Sequence, residues 1–195
     1  DTTAPVIALN GDANVTHEAG FIYVDANASW ADAVDGSGLL DASGQVNVST
    51  PGTYILSYNY TDAANNVAET VTRTVNVVDT TSPVITLTGN PNVIHEAGNF
   101  YVDTNASWTD AVDGNGTLVA AGEVNASKPS SYTLSYNYMD AAGNAAQAVT
   151  RTVNVVDTTK PVITLSSSSV TISVGGTYSL PTATVADFET LTASV

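Results

Sequence analysis

The 195-residue chain contains no cysteine and only four basic residues. The first absence excludes disulfide bonds, thiolate metal sites and a cysteine nucleophile. The second stands against 19 acidic residues and gives a formal net charge of -15. Nucleic acid and anionic lipid are therefore not expected as partners, because both bind positively charged surfaces. Divalent cations are the expected counter-species, unless the acidity serves only solubility.

Long apolar runs are also missing. No stretch of roughly 18 apolar residues occurs, so the sequence predicts no membrane insertion in this segment. Charged residues make up only 12% of the chain, while Thr, Ser, Asn, Val and Ala are abundant. This composition favours strands and turns over exposed helices and predicts an all-β protein.

An internal repeat sets the domain organisation. The segment Asp-Thr-Thr-x-Pro-Val-Ile begins at Asp1, Asp79 and Asp157, a spacing of 78 residues. The first two copies align without a gap and share about two-thirds of their residues. Such self-similarity predicts one folding unit per copy. We predict module 1 at residues 1–78, module 2 at 79–156, and the N-terminal half of an incomplete third module at 157–195.

Within a copy, apolar residues alternate with a period of two, which is typical of strands with one buried face. Tyr54, Leu56, Tyr58 and Tyr60 show this pattern, and the segment from Val71 to Val77 repeats it. Turn residues separate about seven such segments per copy. The pattern predicts tandem immunoglobulin-like β-sandwiches, about seven strands each, with the third module truncated.

The motifs and their order resemble the bacterial surface immunoglobulin-like repeat, which also occurs in pesticidal crystal proteins, and are similar to hyalin repeats. The motifs are the Asp-Thr-Thr-x-Pro-Val-Ile start, the Glu-Ala-Gly turn at Glu18, Tyr-Val-Asp at Tyr23, Asp-Ala-Val-Asp-Gly at Asp32, Pro-Gly-Thr-Tyr at Pro51 and Arg-Thr-Val-Asn-Val-Val-Asp at Arg73. The resemblance implies a repeat of secreted or wall-attached proteins that acts as stalk, spacer or adhesive surface. It implies no shared catalytic activity.

Carboxylates are the only candidate ligands. In an immunoglobulin topology, the loop after Asp32 and the hairpin at Asp62 lie beside the start of the module, and the Glu18 turn lies at the other end. Stacked modules would then bring together oxygen ligands that suit Ca²⁺. The predicted ligands are Glu18, Asp79, Asp110, Asp113 and Asp140 at the first junction, with Glu96 and Asp157 at the second. The alternative is that these residues serve only as turn formers.

Three further residue types have structural interpretations. His17 and His95 are single histidines in their copies, which argues against a zinc site. Arg73 and Arg151 lie in register with inward valines, so each predicts a carboxylate partner, Asp25 or Asp32 in the first copy and Asp103 or Asp110 in the second. Trp30 and Trp108 are expected in the core, with exposed carbohydrate stacking as the alternative.

These observations favour a non-enzymatic extracellular repeat, secreted or attached to a cell surface, that spaces a distant domain from that surface as in an adhesin. Its expected partners are the neighbouring repeats, with a glycan or surface protein as further possibilities. One alternative is a carbohydrate- or protein-binding accessory module of a secreted enzyme. The other is a filament subunit joined by strand donation, since half a sandwich exposes an apolar face and free strand edges. A truncated fragment would explain the same half module.

Overall fold

The computed structural model describes residues 1–187, and every regular element within them is a β-strand. This confirms the all-β prediction. Residues 188–195, the last part of the predicted third module, lie outside the described residues. Across the described part of the chain, no helix has the length and apolar character needed to cross a membrane.

Repeat 1, residues 1–78, contains two three-stranded sheets. The strands are β1 (Val6–Leu9), β2 (Asn14–Glu18), β3 (Ala28–Asp32), β4 (Gly36–Leu40), β5 (Gly52–Tyr58) and β6 (Val71–Val78). One sheet has the order β1-β3-β4 and is antiparallel throughout. The other has the order β2-β6-β5, in which β2 runs parallel to β6. Repeat 1 thus has six strands, whereas the sequence predicted about seven. Ser43 and Thr61 form only isolated bridges.

The period-two pattern explains how the two sheets pack. Leu56, Tyr58, Val75 and Val77 alternate with exposed or half-buried residues on β5 and β6, and they join Ile7 and Ala28 of the other sheet in one core. Tyr58 and Val75 are completely buried. Because burial of apolar side chains is the main favourable term in folding, this alternation fixes which face of each sheet points inward.

Repeat 2, residues 79–156, repeats the same elements. They are β7 (Val84–Leu87), β8 (Asn92–Glu96), β9 (Ala106–Asp110), β10 (Gly114–Leu118), β11 (Ser130–Tyr136) and β12 (Val149–Val156). The sheet orders are β10-β9-β7 and β11-β12-β8, the counterparts of those in repeat 1. Leu134, Tyr136, Val153 and Val155 are buried like their equivalents.

The third copy has one antiparallel strand pair, β13 (Val162–Leu165) with β14 (Ala183–Ala186). These correspond to β1 and β3, and Ile163 is 69% exposed whereas its counterpart Ile7 is 9% exposed. Half of a module with about seven strands would contain three or four, and the described residues of this copy contain two. The apolar face that the second sheet covers in repeat 1 is therefore exposed here.

Packing density divides the chain into two compact units that do not follow the repeat boundaries. The first unit contains Asp1–Val84, Trp108–Gly116 and Tyr138–Gln147, and the second contains Ile85–Ser107, Thr117–Asn137 and the chain from Ala148 onward. The loop after β9 and the hairpin at Asp140 thus belong to the same unit as repeat 1. The module boundaries derived from the sequence stay a prediction.

Candidate functional site

Three carboxylates meet at the N-terminal end of repeat 1. Asp1 precedes β1, Asp32 ends β3, and Asp62 lies in the hairpin between β5 and β6. Each offers one carboxylate oxygen that lies within 4.8 Å of those of the other two. We name this set the acidic triad of repeat 1. The predicted topology, with the Asp32 loop and the Asp62 hairpin beside the start of the module, places these residues correctly.

The turn after β3 determines the geometry of Asp32. Its Oδ1 accepts hydrogen bonds from the backbone N–H groups of Val34 at 2.7 Å and Asp35 at 3.0 Å. These bonds lower the pKa of the Asp32 carboxyl. The other oxygen, Oδ2, is buried and has no hydrogen-bond partner. The side chain therefore serves the turn with only one of its two oxygens.

The hairpin holds the third carboxylate in place. Asp62 is 5% exposed and accepts bonds from the N–H and the Nδ2 of Asn66, both at 2.7 Å. Asp35 ties this hairpin to the β3 turn, because its Oδ2 accepts the N–H of Ala63 at 2.9 Å. Asn65 adopts a positive φ of 70°, a conformation that asparagine tolerates better than most residues. Two turns are thus locked side by side with their carboxylates converging.

The equivalent residues of repeat 2 are Asp79, Asp110 and Asp140, and all three lie in the first compact unit. Burial raises the pKa of the Asp79 carboxyl, and the negative charges of Asp110, Asp140 and Glu18 raise it further. Asp110 repeats the geometry of Asp32, with Oδ1 on two backbone N–H groups and a buried, unpartnered Oδ2. We name these three residues the acidic triad of repeat 2.

The predicted ligand Glu18 has a different set of contacts. Its carboxylate accepts three hydrogen bonds from the segment after Asp79, namely the N–H of Thr80 at 2.8 Å, the Oγ1 of Thr80 at 2.7 Å and the Oγ1 of Thr81 at 2.8 Å. These bonds lower the pKa of the Glu18 carboxyl. Residues 79–83, which join β6 of repeat 1 to β7 of repeat 2, form the linker. We call the contacts of Glu18 with it the linker clasp. Glu96 makes the same contacts with Thr158 and Thr159.

The structure thus sorts the seven predicted ligands into groups. The charges of Asp110 and Asp140 act on the carboxyl of Asp79. Asp113 accepts the N–H of Ala141 at 2.7 Å and so supports the turn, as the turn-former alternative expects. At the second junction Asp157 accepts the N–H of Thr159 and Glu96 forms the clasp. The predicted calcium ligands as a whole stay a prediction, and Asp1, Asp32 and Asp62 are not among them.

Contacts inside the first unit surround the linker. The Nδ2 of Asn144 donates to the carbonyl of Asp79 at 3.2 Å, and Val112 packs against the core of repeat 1. Gly20 has φ +80°, and a Cβ there would lie 3.1 Å from the Cβ of Ala111. The residues before and after the linker are therefore both held by specific contacts.

The buried ion pair is the second polar cluster of each repeat. Arg73, 1% exposed, pairs with Asp25 and donates to the Tyr58 hydroxyl at 3.0 Å and to the Asn10 carbonyl at 2.6 Å. Arg151 and Asp103 form the equivalent pair. Burial alone would raise the pKa of the Asp25 carboxyl, but hydrogen bonds from Tyr58, Arg73 and Asn27 outweigh it and hold that pKa below its usual value. Of the two predicted partners of each arginine, the structure selects Asp25 and Asp103.

The aromatic residues and histidines of the sequence analysis have structural surroundings. Trp30 is half-buried, packs on the core and stacks on Tyr60 with ring centroids 3.9 Å apart. Trp108 stacks on Tyr138 in the same way. His17 Nε2 lies 3.0 Å from the carbonyl of Phe21, and Tyr54 donates to the Thr50 carbonyl at 2.8 Å. The last contact is the tyrosine corner that the Pro-Gly-Thr-Tyr motif indicates.

Known proteins are similar to this chain in sequence. The chain is 32% identical to hyalin of Strongylocentrotus purpuratus, over 94% of this chain and 17% of that protein. It is 36% identical to hyalin of Lytechinus variegatus, over 88% of this chain and 35% of that protein. The chain thus spans only about a third or less of these relatives' length. A lipoprotein from Bacteroides thetaiotaomicron, BT2262, superposes with a TM-score of 0.34 at 16% identity, covering 75% of this chain and 80% of that one, which is too low to support an argument about fold.

A family model described as bacterial surface protein, Ig-like domain, matches residues 7–77 and 85–155. The two matches fall on repeats 1 and 2 and confirm the resemblance derived from the motifs. They indicate a repeat module of the kind found in surface proteins. The chain belongs to the family of bacterial surface protein Ig-like domains.

Proposed function

We propose that this chain is a spacer segment of an extracellular surface protein, in which successive Ig-like repeats are held in a defined order and orientation by their linkers. The linker clasp is the observation that carries this proposal. A segment that only connected two independent domains would be expected to be polar, mobile and free of specific contacts. Here both oxygens of Glu18 accept bonds from the linker threonines.

Repetition of the clasp supports a mechanical role. Glu96 holds Thr158 and Thr159 with the same donor atoms and nearly the same distances as Glu18 holds Thr80 and Thr81. A spacer needs the same connection between each repeat and the next. A binding module would instead need a binding site that one copy has and the other lacks. Near-identical copies with the same connection fit the spacer.

The contacts of Asn144 and Val112 add to those of the linker clasp. Asn144 fixes the linker backbone at Asp79, and Val112 adds apolar contact with the core of repeat 1. Charge-assisted hydrogen bonds such as those of Glu18 are stronger than neutral ones. Together these contacts make the linker a stiff connection in this proposal, and that stiffness and the family support an adhesin-like, surface-attached role.

Calcium at the junction belongs to the same proposal in a narrower form. The three clasp bonds already satisfy Glu18, and Asp113 is committed to its turn. The carboxylates that remain for an ion beside the linker are those of the acidic triad of repeat 2. Neutralising their mutual repulsion would stabilise the linker conformation.

Distance measurements between spin labels test the stiffness. The chain has no cysteine, so Ser49→Cys and Ser127→Cys, both at exposed positions, give one label in each repeat. We expect a narrow distance distribution in the parent protein and a clearly broader one in Glu18→Ala. Glu69→Gln removes an exposed acidic group away from the linker and is the matched control, with a distribution expected to equal that of the parent. Equal widths for the Glu18→Ala variant and the parent would contradict the spacer proposal.

A further inference from the structure

The segment between β2 and β3 of repeat 1 has an unpaired backbone. Within the described part of the chain, none of the backbone N–H or C=O groups of residues 22–26 forms a hydrogen bond, and the same holds for residues 100–104 of repeat 2. Along the segment, Ile22 and Val24 are exposed, whereas Tyr23 between them is half-buried. This alternation is typical of an extended strand, and the unpaired groups of such a strand are available to a further strand.

The inward side chains hold this segment in place. The hydroxyl of Tyr23 donates to Asp25 at 3.1 Å, and Asp25 forms the buried ion pair with Arg73. The other oxygen of Asp25 accepts the backbone N–H of Asn27 at 2.9 Å. The segment is therefore fixed before any ligand binds, which reduces the conformational entropy that binding would cost.

A groove of about 540 Å³ borders the segment. It is lined by residues of two chain segments, 22–27 and 41–48, and by the core residue Leu56. We name it the repeat 1 groove. A strand added in this groove would pair with the backbone of the first segment and place alternate side chains against Tyr23 and Val46. The unpaired backbone and the groove thus favour the same kind of ligand, an extended polypeptide.

Two outward positions of the segment carry large apolar side chains in all three copies, and each of these residues is more than half exposed. They are Ile22 and Val24, Phe100 and Val102, and Tyr178 and Leu180. In contrast, the exposed Leu39 corresponds to Thr117 in repeat 2, and the exposed Ile55 corresponds to Thr133. Exposed apolar side chains that persist beside a groove indicate a contact surface.

Electrostatics determines which extended polypeptide fits. Repeat 1 contains nine acidic residues, and its one basic residue, Arg73, is buried in the ion pair. Asp41 lines the groove, is exposed, and accepts one bond from Asn27. A second copy of this chain would bring the same negative charge to the groove, whereas a basic segment would be attracted to it.

We propose that the repeat 1 groove binds an extended, positively charged segment of another protein, which adds as a strand beside residues 22–26. Repeat 2 has the same unpaired segment, but its groove is smaller, about 330 Å³. There Val119 replaces Asp41, and Lys128 offsets the charge of Glu123. A basic segment therefore prefers repeat 1. The inference goes beyond the spacer role, since it gives repeat 1 a binding surface of its own.

Fluorescence anisotropy of the full chain with a labelled short peptide of alternating lysine and valine tests this. We expect saturable binding with a Kd below about 1 mM. The same peptide methylated at its backbone nitrogens keeps its charge and side chains but has no backbone donors, so it should bind at least about tenfold more weakly. A peptide with glutamate in place of lysine should not bind, because the groove is acidic.

Variants of the chain locate the site. Ile22→Ser with Val24→Ser removes the exposed apolar side chains and should weaken binding at least about fivefold. Asp41→Asn should weaken binding and reduce its salt dependence. Phe100→Ser with Val102→Ser is the matched control in repeat 2 and should leave the Kd within about twofold of the parent value. Thermal unfolding should give every variant the Tm of the parent, because the changed side chains are exposed.

Several results would overturn the proposal. They are absence of binding at about 1 mM peptide, equal binding of the methylated or the glutamate peptide, and equal weakening by the double variants of the two repeats. Sedimentation equilibrium of the parent without peptide should show a monomer. Self-association that Ile22→Ser with Val24→Ser abolishes would assign the segment to a second copy of the chain and refute a basic partner.

Discussion

Replacing Asp25 by alanine should be one of the most damaging single changes in repeat 1. The carboxylate of Asp25 accepts bonds from the hydroxyls of Tyr58 at 2.6 Å and Tyr23 at 3.1 Å, from the N–H of Asn27 at 2.9 Å, and from the guanidinium of Arg73. In the variant, Arg73 stays buried and retains only carbonyl and hydroxyl acceptors. Removing one partner of a buried ion pair costs about 3–5 kcal/mol.

A loss of that size is a large part of the free energy of unfolding of a small domain, which is about 5–15 kcal/mol. Urea unfolding followed by tryptophan fluorescence measures it. Each complete repeat contains one tryptophan, so a Trp108→Phe background leaves Trp30 to report on repeat 1. With a slope of about 2 kcal/mol per molar urea, the midpoint should fall by about 2 M.

Asp41→Ala is the matched control for this prediction. Asp41 is exposed and accepts a bond only from Asn27 Nδ2 at 3.0 Å, so its removal should cost less than about 1 kcal/mol. The double variant Asp25→Ala with Arg73→Met should regain part of the loss, because no unpaired charge stays in the core. If Asp25→Ala and Asp41→Ala shift the midpoint equally, the ion pair is not what stabilises this core.

Three other outcomes are expected. Gly38→Ala should destabilise repeat 1 by about 1–3 kcal/mol in the same urea assay, because its Cβ would lie 2.7 Å from the indole Nε1 of Trp30, while Ser37→Ala should be nearly neutral. Tyr54→Phe should cost about 0.5–1.5 kcal/mol by removing the bond to the Thr50 carbonyl, and an unchanged midpoint would contradict that role. The Asp25 pKa is lower folded than unfolded, so its stabilisation is complete above the unfolded value of 3.8 and is lost as the pH falls through the folded value. Acid titration by circular dichroism should therefore show a loss of stability below about pH 4 that is smaller in Asp25→Ala, in which the equivalent carboxyl Asp103 remains.

The sequence was sufficient to predict the all-β fold, because the period-two pattern of apolar residues occurs at the same positions in both repeats. Tyr58 and Val75 lie at the period-two positions that predict an inward face, and both are completely buried. A strand shifted by one residue would expose this whole set, so the pattern leaves little freedom of register. The inward direction of Arg73 followed from the same alternation.

The candidate site was less predictable, because it depends on which oxygen of each carboxylate is already in use. Glu18 and Asp32 are both acidic residues at strand ends in the sequence. In the structure the oxygens of Glu18 accept bonds from Thr80 and Thr81, whereas Asp32 retains one unpartnered oxygen. A Thr-Thr pair after the module boundary was a signal for the clasp, since hydroxyl groups and backbone N–H groups at a linker are donors to a nearby carboxylate. Nothing in one sequence distinguishes Oδ1 from Oδ2.

Absence of disulfides gives the buried arginine a particular importance. The guanidinium of Arg73, on β6, donates to Asp25 before β3 and to the carbonyls of Asn10 and Asp12 between β1 and β2. One side chain thus joins three segments that a disulfide would connect only in pairs. Directional hydrogen bonds to fixed carbonyls favour a single arrangement of these segments over alternatives that bury the same apolar area. Arg151 makes the equivalent contacts within repeat 2, with Asp103 and with the carbonyls of Thr88 and Asn90. The same buried cation therefore joins the corresponding segments in both repeats.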